Sequence, residues 1–480
     1  MQDKFDKVYK AIPVGVSLAL LSLLGACASP AWQAPAVNTP ASWQSATASQ
    51  ASQPAADAAF WASFADPQLL QLQTEALSRN ADLAQAALRW RKAGLLVTQN
   101  QQAQLPNVSL SASSGAAWQL DPARHTSDSF GLSLSASWEL DLWGKLADQT
   151  RAASWRTTAS ASDWQALRQS VRSEVAQAYW AIAREQAALT LAQADLARAE
   201  ALQARVNTRY QAGYVSGLDV AQARDSVAQQ RSRVLEAQLA LDKSRWALAT
   251  LLDQPPATYA QLQAALPSEF PAVPAGLPAE VLDRRPDLAS ARANLQAAFA
   301  DEAVSRKSWY PTLSLTGSLG SNSQELSNLL VNPVAQLGAG LVLPFINWHK
   351  RDTALKISAL DYEAAVIGYR QKLYQALQEV EIALASRSQL QANQPLLATQ
   401  LRDAEQAERQ TELRYRAGVI QFDSVLSAQA RRQQVQNQLL QQRYQLAVAS
   451  SNVYRALGGA PDASTPAQLA ASAATPATAP

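Results

Sequence analysis

The sequence predicts a mixed α and β membrane protein. Four transmembrane β-strands per chain contribute to a trimeric 12-strand barrel, long α-helices continue it, and the unit carries an internal two-fold repeat. Three observations carry that expectation: paired runs of alternating polarity, helical stretches of some 67 residues, and a duplication at constant offset. Composition agrees with it. Of 480 residues, 48% are hydrophobic yet only 7% aromatic. Much of the apolar share is Ala, with Gln and Arg beside it, which suits long, closely packed helices. With 41 basic against 39 acidic residues the formal charge is +2, so no basic stripe supports nucleic-acid binding. One Cys excludes an intrachain disulfide framework and a Cys-built zinc site.

At the amino terminus, Lys4, Lys7 and Lys10 precede an apolar run over 11–24 that closes on Leu24-Gly25-Ala26-Cys27. The run is shorter than the roughly 20 residues a spanning helix needs, so residues 1–26 read as an export signal, with a retained anchor as the alternative. Residues 27–56 are Ala, Ser, Pro and Gln around Trp32 and Trp43, without helical period, and read as a tether. The first repeat spans 57–254, with a helix, a hairpin at about 107–140 and long helices at about 146–212 and 217–253. A Pro-rich connector covers 255–285. The second repeat, 286–460, again has a helix, then a hairpin at about 312–345 and long helices at about 349–417 and 422–457. A low-complexity tail occupies 461–480.

The duplication rests on residues that rarely coincide by chance. At an offset of 205, Pro106 meets Pro311, Trp143 meets Trp348, Glu174-Val175 meets Glu379-Val380, Arg209-Tyr210 meets Arg414-Tyr415, and Gly213 meets Gly418. Within each unit the strand pattern has period two. Val108, Leu110 and Ala112 share one face, as do Phe130, Leu132, Leu134, Ala136, Trp138 and Leu140. The second unit offers Leu313, Leu315 and Leu319, then Ala335, Leu337, Ala339, Leu341, Leu343 and Phe345. Ser, Gly or Gln fill the opposite face. Such runs have the length of a tilted membrane strand, and Trp138, Trp143, Trp309, Tyr310 and Trp348 gather at their ends like an interfacial girdle. Polar loops are expected at 119–128 and 321–332. Soluble hairpins remain the alternative reading of the pattern alone. Four strands cannot close a barrel in hydrocarbon, so other copies must complete the sheet, and three leave room for water.

The helical stretches carry apolar residues every seven positions: Val175, Ile182, Leu189 and Leu196, then Val220, Val227, Val234, Leu241 and Leu248. Gly213 and Gly418 supply the reversals, while Gly368 and Pro395 are expected to interrupt the second long helix locally. An ordinary helical bundle accounts for the heptads equally well but gives the strands no role.

Leu24-x-Ala-Cys27 resembles the bacterial lipobox, which implies acylation of Cys27; Ala28 after it resembles the pattern for sorting to the outer membrane. Together with the duplicated strand–helix unit and the tip turns, it resembles the outer-membrane-factor (TolC-like) family. Arg284-Arg285-Pro286-Asp287 and the following residues to Ala298 resemble the signature of the lipoprotein branch that serves RND-type tripartite efflux systems. The resemblance covers about 12–460. It implies a homotrimer whose barrel lies in outer-membrane lipid and continues as a helical tunnel across the periplasm. It also implies a periplasmic adaptor and an inner-membrane RND transporter as partners. Arg-Tyr-x-Ala-Gly occurs at 209–213 and 414–418, so the resemblance places adaptor docking and gating at Arg209, Tyr210, Gly213 and Asp219, and at Arg414, Tyr415, Gly418 and Asp423. Asp219 and Tyr415 align with a carboxylate–phenol tether of relatives. Ile420 replaces an Arg of that network, and Ser424 and Ser427 stand where several relatives carry aperture carboxylates, leaving Asp423 as the nearby charge.

Other function classes fare less well. His125 falls in a predicted loop and His349 at a helix start, with no acid–base pair, so no catalytic, cofactor or metal site is expected. A channel for protein secretion and a periplasmic coiled-coil adaptor or scaffold remain the rival readings. Scarce Met, His and Cys disfavour a dedicated soft-metal exporter.

Overall fold

The computed structural model describes residues 32–45, 57–118, 126–271, 278, 284–331 and 333–459. The expected export signal, Cys27, His125 and the tail lie outside the described residues. Chain order is α1 (Asp57–Ala62), α2 (Pro67–Arg79), α3 (Ala81–Gln102), β1 (Asn107–Trp118), β2 (Thr126–Leu140), α4 (Lys145–Gln211) and α5 (Gly217–Leu251). There follow α6 (Pro286–Lys307), β3 (Thr312–Ser323), β4 (Val334–Val342), α7 (Trp348–Arg416) and α8 (Phe422–Ala456). The fold is thus mixed α and β. Two compact units divide it: Met1–Val37 with Trp90–Ala159 and Ala291–Arg370, and Asn38–Arg89 with Ser160–Ser290 and Gln371–Pro480. Each unit draws on both repeats, so compactness cuts across the duplication.

The first unit holds one antiparallel sheet in the order β1-β2-β3-β4. Its register puts like with like. Leu110 pairs with Leu134, Leu134 with Leu319 and Leu319 with Ala335, while on the other face Ser109 pairs with Ser135, Ser135 with Ser318 and Ser318 with Gln336. Apolar side chains stay exposed, Leu337 by 94%. Opposite them, Ser109 and Ser135 hydroxyls meet at 2.8 Å, and Gly338 and Gly340 stand across from Thr316 and Ser314. An exposed apolar face with edge strands β1 and β4 that pair with no further strand among the described residues fits a lipid-facing sheet awaiting neighbours. Leu343 and Phe345 do not continue β4 as the alternation suggested. Pro344 brings no N–H to the ladder, and a 3₁₀ turn, Pro344–Ile346, replaces the strand there. In the other direction the strands run further than expected, since Thr126 pairs with Trp118 and Ser323 with Phe130.

Aromatic residues at the strand ends are bonded as well as placed. Trp138 Nε1 donates to Gln104 O at 2.8 Å and Trp143 Nε1 to Pro311 O at 2.7 Å. Asp141 accepts from Leu146 N and Ala147 N at 3.1 and 2.8 Å, which satisfies donors in the first turn of α4. Asp148, fully buried, is paired with Lys307 at 2.7 Å.

In the second unit the core gathers Phe60, Trp61 and Phe64 from α1 and the turn after it with Tyr179 and Trp180 of α4, Leu241 and Leu248 of α5, and Tyr454 of α8. Phe60 stacks on Tyr454 at 3.8 Å. Residues 43–45, within the stretch read as tether, are fastened here. Trp43 is only 6% exposed, and Gln44 N and Ser45 N donate to the Glu381 carboxylate at 2.8 and 3.1 Å. α4 and α7 have 67 and 69 residues, about 100 Å each at 1.5 Å per residue. α7 runs helical through both Gly368 and Pro395, so neither ends the helix. No described helix is long and apolar enough to cross a membrane.

Candidate functional site

Two constellations from the sequence reading lie in the second unit. The signature residues form a clasp. Arg285, 6% exposed, grips Asp287 with Nε and Nη2 at 3.0 and 2.9 Å, and its Nη2 also reaches Glu379 of α7 at 2.6 Å. Nη1 donates to Ala456 O at the end of α8, at 2.9 Å. A planar guanidinium with five donors suits this four-way attachment, which a lysine would not complete. Lys372 adds a contact to Asp287 at 3.3 Å. Burial pushes Asp287 up, but the hydrogen bonds and charge of Arg285, with Lys372, outweigh it and hold the carboxyl below the usual range. Pro286 opens α6, where its missing N–H costs no helical bond. Arg284 lies beside a tight approach: Gly458, at φ +87°, leaves 3.0 Å between a would-be Cβ and Arg284 C or Arg285 N. One repeat earlier, Asn80 takes the place of Arg285, and its Nδ2 donates to Leu251 O at 2.9 Å, the counterpart of Ala456 O. The duplication keeps the contact and changes the donor.

The helix tips are built from two turns of the same design. Tyr214 N donates to Arg209 O and Gly213 N to Tyr210 O, both at 2.9 Å; Val419 N to Arg414 O and Gly418 N to Tyr415 O, both at 3.0 Å. Gly213 and Gly418 sit at φ +80° and +73°, the left-handed conformation that closes a helix in this way. Beyond them the halves differ. Ser216 caps α5 in a reciprocal box with Asp219, whereas Gln421 gives α8 no side-chain cap and Phe422, buried, begins the helix. Tyr415 is 6% exposed within an apolar cluster of Leu202, Val206, Val220, Ala223, Phe422 and Val425, with Ile420 packed against it. Its repeat counterpart Tyr210 is exposed, as are Arg414 and Asp423.

Arg209 binds across the repeats. Its guanidinium lies 5.0 Å from the Tyr415 ring centroid and donates to Tyr415 O at 3.1 Å. The hydrogen bond expected from Tyr415 to Asp219 is not made within the chain. Asp219 Oδ2 accepts instead from Ser216 N and Oγ at 2.9 and 3.2 Å, and the Tyr415 hydroxyl has no hydrogen-bond partner among the described residues. Burial raises the Tyr415 phenol, the Asp219 charge adds to this, and Arg209 opposes it. A cleft of about 330 Å³ between the turns is lined by Arg209, Asp219, Tyr415 and Asp423 among others. Ser424 and Ser427 are exposed beside Asp423. Sequence reasoning missed Arg205, which reaches Glu412 at 2.6 Å, and the buried Arg432, which joins Asp195 and Glu408. Periodicity marks neither, because partners 207 and 237 residues apart leave no local pattern.

A sheet apolar toward the outside and hydroxylated on its other face, in a chain whose longest helices reverse at paired glycine turns, defines an outer-membrane channel. Comparison with known proteins gives the family. The outer membrane efflux protein family matches residues 72–254 and 277–459, two stretches set apart by the same offset as the repeat. A pyoverdine export outer membrane protein, OpmQ, of Pseudomonas putida KT2440 is 33% identical over 462 residues, covering 93% of this chain and 97% of its own. The cation efflux system protein CusC of Escherichia coli O6:H1 is 28% identical, with 94% and 98% covered. Among solved structures, the outer-membrane channel OprN superposes with a TM-score of 0.79 at 28% identity, covering 90% of this chain and 99% of that one. The chain belongs to the outer membrane efflux protein family. Its four strands are one chain's share of a trimeric barrel in the outer membrane.

Proposed function

We propose that three copies of this chain form the outer-membrane duct of a tripartite efflux pump and pass organic small molecules outward without altering them. The observation that carries this reading is the sheet. One face is apolar and exposed, the other is small and polar, and both edges are unpaired, an arrangement that hydrocarbon tolerates only once other copies close it. Passage through such a duct is passive. An inner-membrane RND-type transporter supplies the energy, and a periplasmic adaptor joins it to the tip turns.

Within this reading, Arg209, Tyr210, Gly213, Asp219, Arg414, Tyr415, Gly418 and Asp423 form the docking and gating region. Cys27, freed by removal of residues 1–26, carries the acyl chains. Arg284, Arg285, Pro286 and Asp287 hold the frame in which the helices stand. One relative is named for pyoverdine export and another for cation efflux. With one Met, one Cys and two His, this chain lacks the soft ligands a cation conduit would line up, which favours organic cargo of the siderophore or drug kind. No catalysis is involved: the charged clusters join helix to helix.

The test is deletion of the gene in cells with and without the cognate pump, followed by susceptibility to antibiotics, dyes and solvents and measurement of secreted chelators. Sensitisation or loss of secretion only where the pump is present is expected. An unchanged profile despite confirmed expression in the parent would sink the proposal.

A further inference from the structure

In the second unit, α5 and α8 and the later parts of α4 and α7 are held by apolar packing at two levels and by charge between them. Toward one end, Tyr179, Ile182, Leu241, Ala447 and Tyr454 belong to the large core. At the tips lies the separate cluster around Tyr415 and Phe422. In the intervening stretch, Asp195, Gln230, Arg432 and Gln433 are all buried, alongside Val227 and Val435. Arg432 of α8, 5% exposed, is the centre of this layer. Its Nη2 donates to Asp195 of α4, and its Nε lies 2.7 Å from Glu408 of α7, an ion pair rather than an aligned hydrogen bond. Asp195 also takes Arg198 at 2.9 Å. α5 enters through Arg233, which donates to Gln433 of α8 at 2.6 Å. Burial pushes the Glu408 carboxyl up, against the charges of Arg432 and Arg198, with Asp195 adding to the rise.

Such a layer is a poor way to gain stability, since apolar residues of similar volume commonly serve as well or better once desolvation is counted. Its contribution is register. Apolar surfaces slide past one another with little directional penalty, whereas a guanidinium shared between two carboxylates on different helices fits one arrangement and is broken in the next.

We propose that Arg432, through Asp195 and Glu408, is a positioning residue that fixes the tip segments in their resting arrangement, the polar layer being the level about which those segments shift when the duct opens. This rests on the efflux-channel reading. It assigns the latch to a site inside the helix bundle, away from the Asp219 and Tyr415 pair at the turns. Loss of the guanidinium leaves Glu408 without its buried partner, so the two carboxylates separate and the helices leave register.

The experiment is single-channel recording of the full-length, lipidated trimer in planar bilayers, with heat resistance of the trimer on a gel as the measure of assembly. Arg432→Gln is expected to raise conductance several-fold with the trimer intact, and Glu408→Gln and Arg432→Lys, each of which keeps one ion pair, to raise it less. Arg431→Gln, at the exposed neighbouring position, is expected to change nothing. An intact Arg432→Gln trimer with wild-type conductance overturns the proposal. Should that variant not assemble, an intact Glu408→Gln trimer with wild-type conductance does the same, as does an equal rise in Arg431→Gln. A wild-type trimer that carries no current instead overturns the channel reading.

Discussion

At the residue scale the clasp and the tip make opposite demands on single side chains. Arg285 is buried with four attachments, so Arg285→Ala leaves two carboxylates and a helix-end carbonyl unserved. A loss of about 3–5 kcal/mol is expected, read as a trimer that dissociates at markedly lower temperature. The acid dependence follows from Asp287. Its folded value lies below the unfolded one, so the stabilisation is complete above the unfolded value near pH 4 and is lost as pH falls through the folded value. Heat resistance should therefore hold from neutrality to about pH 4 and decline only in stronger acid, and Asp287→Asn should flatten that decline while lowering the plateau. Tyr415 is the contrasting case. Its ring is packed and faces Arg209, but its hydroxyl has no hydrogen-bond partner among the described residues. Tyr415→Phe is therefore expected to leave conductance unchanged. A rise would show that the phenol finds its acceptor in a neighbouring copy.

At the element scale, turn chemistry was legible and long-range pairing was not. Gly213 and Gly418 announce helix reversals because only a residue without Cβ takes φ near +80° cheaply, and the chain has them at repeat-equivalent places. Alternation likewise marks the strands, yet it carried β4 past Pro344, where a missing donor ends the ladder whatever the next apolar residue suggests. Pro395 removes one donor from α7, and the helix still runs unbroken from Trp348 to Arg416. Arg432, Asp195 and Glu408 each look like ordinary charges on helices rich in charge; only the fold brings them together. Two glycines give a graded prediction. Gly418→Ala meets open space and pays only for its conformation, about 1–2 kcal/mol. Gly458→Ala adds a contact of 3.0 Å with backbone, which cannot rotate away, and should lower trimer heat resistance further.

At the scale of the whole molecule, the sheet's two faces set where charge is tolerated. Leu337 stands on the lipid side and Gln336, next to it, on the other. Leu337→Arg should cost about 2–4 kcal/mol near the bilayer midplane and deplete heat-resistant trimer from the outer membrane. Gln336→Arg should leave its amount unchanged, as measured by immunoblot of membrane fractions. The membrane class and the need for several copies were readable from the strands and their count, and the family from the duplicated unit together with the Leu24–Cys27 motif, the Arg284–Asp287 signature and the paired tip turns. The division into compact units was not, because each takes segments from both repeats and contact density has no signature in a linear offset.

The inner face of the sheet also bears on what can pass. Its rows are mainly Ser, Thr and Gly, with Asn107, Glu139, Asn322 and Gln336 among them, and Gly131, Gly320, Gly338 and Gly340 stand where a Cβ would press on a neighbouring hydroxyl or backbone atom within 3.1 Å. A wall so thinly upholstered can bend toward its own axis without side chains colliding, and still leaves the bore wide. Solutes would then meet hydroxyls and hydrogens at the membrane and find their sieve in the helices, where Arg and carboxylate replace Ser and Gly.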